Sequence, residues 1–436
     1  MHTLKPKDDT MNRILPRLII WLIPCLVLGS AVLADTAWAV TRYVALNGND
    51  ANSCADSATI TTPKRTFASA VACLAAGDTL YIRGGTWTEQ MDLQSRSKSG
   101  TAGNPITIAG YPGETATLLH TDKFIQDYGP IKARTSSWIV YDNLTLDGSN
   151  DLNSNGLSFR DSNHDIVFKN SIVKNMPFNG IFVDAPNITI QNNIIRDQRS
   201  VCGCDGERWY GIYLHAGNNL LVEGNDIYNN PGGGIQIYTG PSNGVTIRNN
   251  KIHDNNTLPV SVIGGILVQS PGLGELNVKI YNNLIYNNGS NPSHNRTHAF
   301  GIQIGSGVVG AQIFSNTIFG NDGYGIQIVD ATDTGTIVKN NIVYGNSLAD
   351  IKNNGSGTTL ISNLTVNPLF VNAGALDFHL QAGSAAINQG VTLGSPWNVD
   401  YAGTARPQGG AYDMGAYEFT GTATPPAAPS GVRMSY

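Results

Sequence analysis

Glycine followed by alternating aliphatic positions recurs through the middle of the chain. The segments are Gly156–Phe159, Gly180–Val183, Gly211–Leu214, Gly234–Ile237, Gly265–Val268, Gly301–Ile304 and Gly325–Ile328. Alternation with a period of two predicts a short strand with one buried face. A second run follows each segment and ends on Asn, and an aliphatic residue two positions later opens a third: Asn170 with Ile172, Asn193 with Ile195, Asn225 with Ile227, Asn250 with Ile252, Asn283 with Ile285, Asn316 with Ile318, and Asn341 with Val343. Asn143 and Asn363 extend the series at either end. Successive asparagines lie 22 to 33 residues apart. The shortest interval holds three short strands and three turns, and the excess is inserted loop. Self-similarity at this period is the mark of a solenoid. The expected fold is all-β, a parallel β-helix of about nine or more coils with three short strands each. Stacked asparagines would form a ladder that satisfies backbone groups at each bend.

Two flanking segments carry different patterns. Cys54 and Cys73 precede Gly77–Asp78 and the run Thr79–Glu89, while Asp377–Leu380, Asp400, Arg406, Asp413 and Glu418 mark a polar C-terminal stretch. With the repeats, these features resemble the pectate-lyase-like right-handed β-helix superfamily over roughly residues 79–370. The resemblance implies a right-handed solenoid, a short capping helix before the first coil and a closing C-terminal segment. The expected organisation is a signal peptide at 1–39, an N-terminal capping segment at 40–78, the β-helix at 79–370, a C-terminal cap at 371–419 and a tail at 420–436. Asp400, Arg406, Asp413 and Glu418 read as cap residues in ion pairs or turns.

Only 14% of residues are charged, whereas Gly numbers 49, which suits strands joined by tight turns. The basic residues Lys5, Lys7, Arg13 and Arg17, the apolar run Leu18–Leu33 and Ala37–Ala39 form a secretory signal pattern, with Met1 or Met11 as the start. The run is short for a membrane span, and no other segment is apolar enough. A secreted or periplasmic, monomeric protein is expected. Cleavage would remove four of 27 Lys/Arg and three of 32 Asp/Glu, leaving a net charge of about −6. Such a surface argues against a nucleic-acid partner. Export permits disulfides: Cys54–Cys73 is the favoured bridge, and Cys202 with Cys204 is either a local bridge or a reactive or metal-binding pair.

If the glycine-led segment is the first strand of each coil, its outward residues form two columns. One runs Ser158, Phe182, Tyr213, Gln236, Leu267, Gln303, Gln327, and the other Arg160, Asp184, His215, Tyr238, Gln269, Gly305, Val329. Equivalent residues of successive coils lie about 4.8 Å apart, so Asp184, His215 and Tyr238 are expected on consecutive rungs. Excess length gathers between the third strand and the next first strand, at 198–210, 255–264 and 287–300. These loops would wall one face into a groove. They carry Asp205, Glu207, Arg208 and Trp209, then His294, Arg296 and His298. In the resembled enzymes this face and these loops bind polysaccharide.

Elimination on a uronic acid polymer requires carboxylate neutralisation, proton abstraction and leaving-group protonation. Arg160 or Arg208 would neutralise, His215 oriented by Asp184 would be the base, and Tyr238 or Tyr213 the acid. Tyr213, Trp209, Gln236, Gln269, Gln303, Arg296 and His298 would hold the sugar. Many superfamily lyases use calcium held by several acids. Here Asp184, Asp205 and Glu207 would be the ligands, although the sequence itself requires no cofactor. Two alternatives stand beside elimination. One is a non-enzymatic glycan-binding or cell-surface β-helix. The other is a glycoside hydrolase, for which Asp184 with Asp205 or Glu207 is the nearby carboxylate pair.

Overall fold

The computed structural model describes residues 39–421 apart from 122–128, 153, 200–208, 239, 241, 259–262, 272–275 and 290–297. Three long parallel sheets run along a solenoid. The first strands of the coils form an eight-stranded sheet from Leu157–Phe159 to Ala349–Asn353. The second strands form a twelve-stranded sheet from Thr41–Val44 to Thr359–Ile361. The third strands form a ten-stranded sheet from Gly85–Trp87 to Ile342–Tyr344. Every neighbouring pair in the three is parallel and follows chain order, as a right-handed parallel β-helix requires. Inward aliphatics such as Ile212, Val222, Ile227, Ile235, Ile247 and Ile252 are fully buried and merge into one core.

The glycine before each first strand is required by close approach. A Cβ on Gly234 would lie 2.5 Å from the Gly265 carbonyl oxygen and 2.5 Å from Ile252 Cγ2. Gly180, Gly265 and Gly301 meet the equivalent carbonyl and Ile methyl groups of their own surroundings. The glycine column therefore lets the first strand close onto the third sheet.

The asparagine ladder exists, with a correction to its membership. Asn193, Asn225, Asn250, Asn283, Asn316, Asn341 and Asn363 are stacked, each Oδ1 from Asn225 onward accepting from the backbone N–H and Nδ2 of the preceding asparagine. Asn143 and Asn170 sit one position earlier, in left-handed conformation at φ 52° and 49°. Ser171 takes the ladder place there, its backbone N–H donating to Asn193 Oδ1. A second ladder, unread in the sequence, runs through Asn230, Asn255, Asn288, Asn321 and Asn346 at the bend after the third strand. At both bends a left-handed residue precedes the ladder residue, as in Asn192 before Asn193 and Asn229 before Asn230.

Asn283 shows what the ladder is worth. It is fully buried, its Nδ2 reaches the carbonyls of Ile247 and Tyr281 and Oδ1 of Asn316, and its Oδ1 serves the backbone N–H of Asn250. Asn283→Ala is expected to destabilise by about 2–4 kcal/mol, because buried backbone groups lose their partners. The shift of the urea midpoint measures it.

At the N-terminal end, helix Phe67–Ala72 buries Phe67 and Val71 in the core, and Phe67 stacks on Trp87 at 4.6 Å. The Thr66 side chain caps the helix by accepting from the Ser69 N–H. Cys54 and Cys73 are disulfide-bonded with Cα atoms 5.4 Å apart. Thr41–Val44, within the expected capping segment, already pairs with Thr79–Ile82 as the first strand of the second sheet.

The C-terminal stretch lies along the flank of the solenoid. Phe378 packs on Tyr286 and Phe319, Trp397 on Tyr281 and Phe314, and the Ala416 N–H donates to Thr317 Oγ1. Leu360 and Ile361 of the last coil remain 44% and 40% exposed, so the described part of this stretch covers outward aromatics and not the end. Arg406, fully buried, donates to Glu418 at 2.8 Å and to the carbonyls of Asp413 and Gly415. Asp400 accepts from the N–H groups of Thr404 and Glu418, and Asp413 from those of Asn388 and Phe419. All four polar residues thus serve the fold of this segment.

Candidate functional site

The outward columns of the first-strand sheet follow from strand pairing. Ser158, Phe182, Tyr213, Gln236, Leu267, Gln303 and Gln327 pair in unbroken register, and Lys352 continues the column. The second column is broken. Asp184 pairs with Ala216 and not His215, because the register shifts after Val183. His215 is therefore the extra residue of a bulge, a feature that re-aims a side chain. The carbonyl of His215 accepts from the Gly240 N–H at 2.7 Å, which fixes the bulge to the next coil.

The bulge still brings the expected pair together. His215 Nδ1 lies 3.4 Å from Asp184 Oδ1, with the side chains 36% and 32% exposed. The same nitrogen is shielded from solvent and makes no aligned hydrogen bond, so the two groups stand close without being bonded. The His215 ring stacks on Phe182 at 5.8 Å and 24°, and meets Tyr213 edge-on at 5.8 Å. The Arg160 guanidinium sits 4.8 Å from the centroid of Phe182. Phe182, half-buried, therefore links the candidate base to the candidate cation. Its role was not read in the sequence, where only its place in the column was visible. Tyr238 lies one residue past strand Gly233–Ile237, half-buried, with its N–H donating to the Leu214 carbonyl. That bond places it on the rung after His215.

Other expected residues are placed differently. Trp209, expected as an open platform, is only 3% exposed. Its carbonyl accepts from the Gly232 N–H, which ties this residue to the following coil. Gln236 is 6% exposed, lying between the Tyr213 and Leu267 rungs. A satellite cluster of Tyr210, Ile263, Leu267 and Phe300, with Tyr213 and Tyr324 packed against it, covers this part of the face. Gln269 and Gln303 are half-buried, and Gln303 Nε2 donates to Gln327 Oε1 at 2.6 Å. The glutamine row is interrupted by Leu267, so only its last two members stack. His298 is half-buried, and its carbonyl accepts from Asn256 Nδ2. Asp205, Glu207, Arg208, His294 and Arg296, with Cys202 and Cys204, lie outside the described residues.

Calcium needs several oxygen ligands around one point. Among the described residues no three His, Cys, Asp or Glu side chains come together in that way, and Asp184 is the sole described member of the expected set. The described residues do not fit the ion. For the glycosidase alternative, both expected partners of Asp184 lie outside the described residues.

A second histidine, on the outer face of the third-strand sheet, was not singled out by sequence. His253 is sandwiched between Tyr228 at 5.0 Å and Tyr286 at 4.7 Å, nearly parallel to both. Its Nδ1 meets Asp254 at 2.6 Å and its Nε2 meets Asp226 at 2.9 Å. Only the imidazolium donates from both nitrogens. Burial opposes the charge, but hydrogen bonds to Asp226 and Asp254 outweigh it and raise the pKa of His253 above the usual value. A raised folded-state pKa stabilises fully below the unfolded value of about 6.5, and the contribution is lost as pH rises through the folded value. The melting temperature is accordingly expected to fall across this window, and the fall to flatten in His253→Gln.

The comparisons agree with this architecture. Residues 131–307 match the family described as "Right handed beta helix region". Pectate lyase PEL9 of Emericella nidulans is 37% identical over 89 residues, 20% of each chain. The uncharacterized protein YwoF of Bacillus subtilis is 26% identical over 229 residues, 51% of this chain and 43% of its own. The chain thus aligns with less than half the length of either curated relative. Among solved structures, pectate lyase Pel9A superposes with a TM-score of 0.56 at 18% identity, over 87% of this chain and 96% of its own. XylC, solved with xylose, gives 0.53 at 11% identity over 87% and 98%. At such identities the likeness is one of fold. By its coils and these likenesses, the chain has the right-handed parallel β-helix fold, and residues 131–307 carry the match to the right-handed β-helix family.

Proposed function

We propose that the protein acts on an acidic, uronic-acid-containing polysaccharide by β-elimination at the Asp184–His215 pair. The observation that carries this reading is the convergence of Asp184, His215 and Arg160 around Phe182 on one outward face. In the reaction, His215 takes the proton from the carbon next to the sugar carboxylate, with Asp184 holding the ring as charge develops on it. Arg160 offsets the charge gathering on the carboxylate. The electron pair left on that carbon forms a double bond as the glycosidic C–O bond breaks, and Tyr238 or Tyr213 gives a proton to the departing oxygen. Solvent then returns both groups to their starting states. The pectate lyase names among the relatives support the substrate class.

A binder without catalysis is the second reading, favoured by the half-buried Tyr213–Phe182–His215 ring cluster, which is a stacking surface in its own right. Incubation of purified protein with pectate, alginate and glycosaminoglycans, followed by ultraviolet absorbance of the unsaturated product, separates the two. Absorbance rising with one of them is expected. Micromolar binding with no absorbance change on any substrate would replace elimination by binding.

A further inference from the structure

We propose a second sugar-binding surface on the first coils, formed by Tyr43, Tyr81 and Tyr111, which takes pyranose rings of a polysaccharide away from His215. Tyr43 and Tyr81 pair in register on adjacent strands of the second-strand sheet, and Tyr111 follows one residue after the next strand, Ile106–Gly110. The three rings form one cluster. Tyr43 and Tyr81 are stacked at 6.0 Å, Tyr81 and Tyr111 meet edge-on at 5.6 Å, and Tyr43 and Tyr111 lie 6.2 Å apart. All three are half-buried, on a different sheet from His215 and several coils before it.

The chain covers two of its outward aromatic clusters, both farther along the solenoid, with its own C-terminal segment. Trp397 closes over Tyr281 and Phe314, which belong to the same column of the same sheet as Tyr43 and Tyr81. Phe370 and Phe378 close over Phe319. Among the described residues no segment does this for Tyr43, Tyr81 and Tyr111, and their hydroxyls hydrogen-bond to none of them. The surface thus offers ring faces beside unengaged hydroxyls, the mixed apolar and wet character that aromatic residues bring to interfaces. A pyranose matches it, with a C–H face for the rings and a rim of hydroxyls for the phenols.

Charge narrows the ligand further. The Arg83 guanidinium lies 4.7 Å from the Tyr111 centroid, but its charge is taken by Glu114, whose carboxylate accepts from Arg83 Nε and Nη2 and from the Gly84 N–H. That pair buttresses the platform without presenting a free cation. Recognition is therefore by ring stacking, and neutral and acidic polysaccharides are held alike. This inference rests on the reading that the protein meets polysaccharide, not on elimination.

Affinity electrophoresis of the full chain through gels with embedded polygalacturonate or xylan tests it. The wild type should be retarded in both gels, with little dependence on salt. Tyr81→Thr and Tyr111→Ala should each weaken retention about five- to tenfold, while Tyr81→Phe retains most of it. Melting curves matching the wild type establish that the variants fold, and Tyr111, outside the strands, is the safer position. Wild-type migration by both variants, or an unretarded wild type, overturns the proposal. Retention that depends on Tyr81 without any unsaturated product would uphold this surface and sink the elimination chemistry, whereas product formation with Tyr81-independent retention would do the reverse.

Discussion

His215→Ala is expected to lower kcat on the cleaved polysaccharide by about 10²–10⁴-fold, the usual contribution of a positioned general base. The fold should be unaffected, because His215 is a half-exposed bulge residue whose backbone, not its ring, bonds the next coil. The bulge lets Asp184 approach Nδ1 although the two residues are not register partners. Asp184→Asn keeps the shape but removes the charge that would stabilise the imidazolium, so it should lower kcat less than His215→Ala does. Loss of Arg160 should lower kcat and also raise KM, because it meets the substrate carboxylate both before and during proton abstraction. Steady-state kinetics on all three variants separate these roles.

The largest stability effect is expected from Arg406→Ala, at about 3–5 kcal/mol. The guanidinium is the centre of the C-terminal segment. It meets Glu418 with both side chains essentially solvent-free, and it also holds the carbonyls of Asp413 and Gly415. Its removal leaves the Glu418 carboxylate buried beside Asp413 and Asp400 with no cation to offset it. Burial already pushes the Asp413 and Glu418 carboxyls up, so the unpaired state is strongly disfavoured. The segment would peel from Tyr286, Phe319 and Thr317 before the solenoid unfolds. An early urea transition, with Trp397 fluorescence changing first, is the signature.

The solenoid was legible because its constraints repeat. Glycines that close on a neighbouring carbonyl and asparagines that bond the next coil must recur once per coil, whatever the loops between them do. The ladder was misread at Asn143 and Asn170 because each bend uses two adjacent polar positions, one left-handed and one stacked. A run such as Asn192-Asn193 does not say which is which. The second ladder carried the same signal, since Asn230, Asn255, Asn288, Asn321 and Asn346 repeat the first ladder's intervals at a constant offset of five residues.

The site was legible to the extent that period-two alternation holds. The first outward column kept its register throughout, whereas the second broke at a bulge that no residue type announces. Burial of Trp209 and Gln236 was not visible, because it depends on tertiary packing around the cluster of Tyr210, Ile263, Leu267 and Phe300, which strand alternation does not encode. The stacking of His253 between two tyrosines lay hidden in third strands only three residues long, too short for alternation to register.

The most direct test of the central claim is the mass of the oligosaccharides released from the substrate that the protein cleaves. Elimination at His215 predicts fragments carrying an unsaturated end, each lighter by one water than its hydrolytic counterpart, formed by the wild type and almost absent with His215→Ala. Saturated fragments of full hydrolytic mass, or unsaturated fragments released at an undiminished rate by His215→Ala, would contradict it.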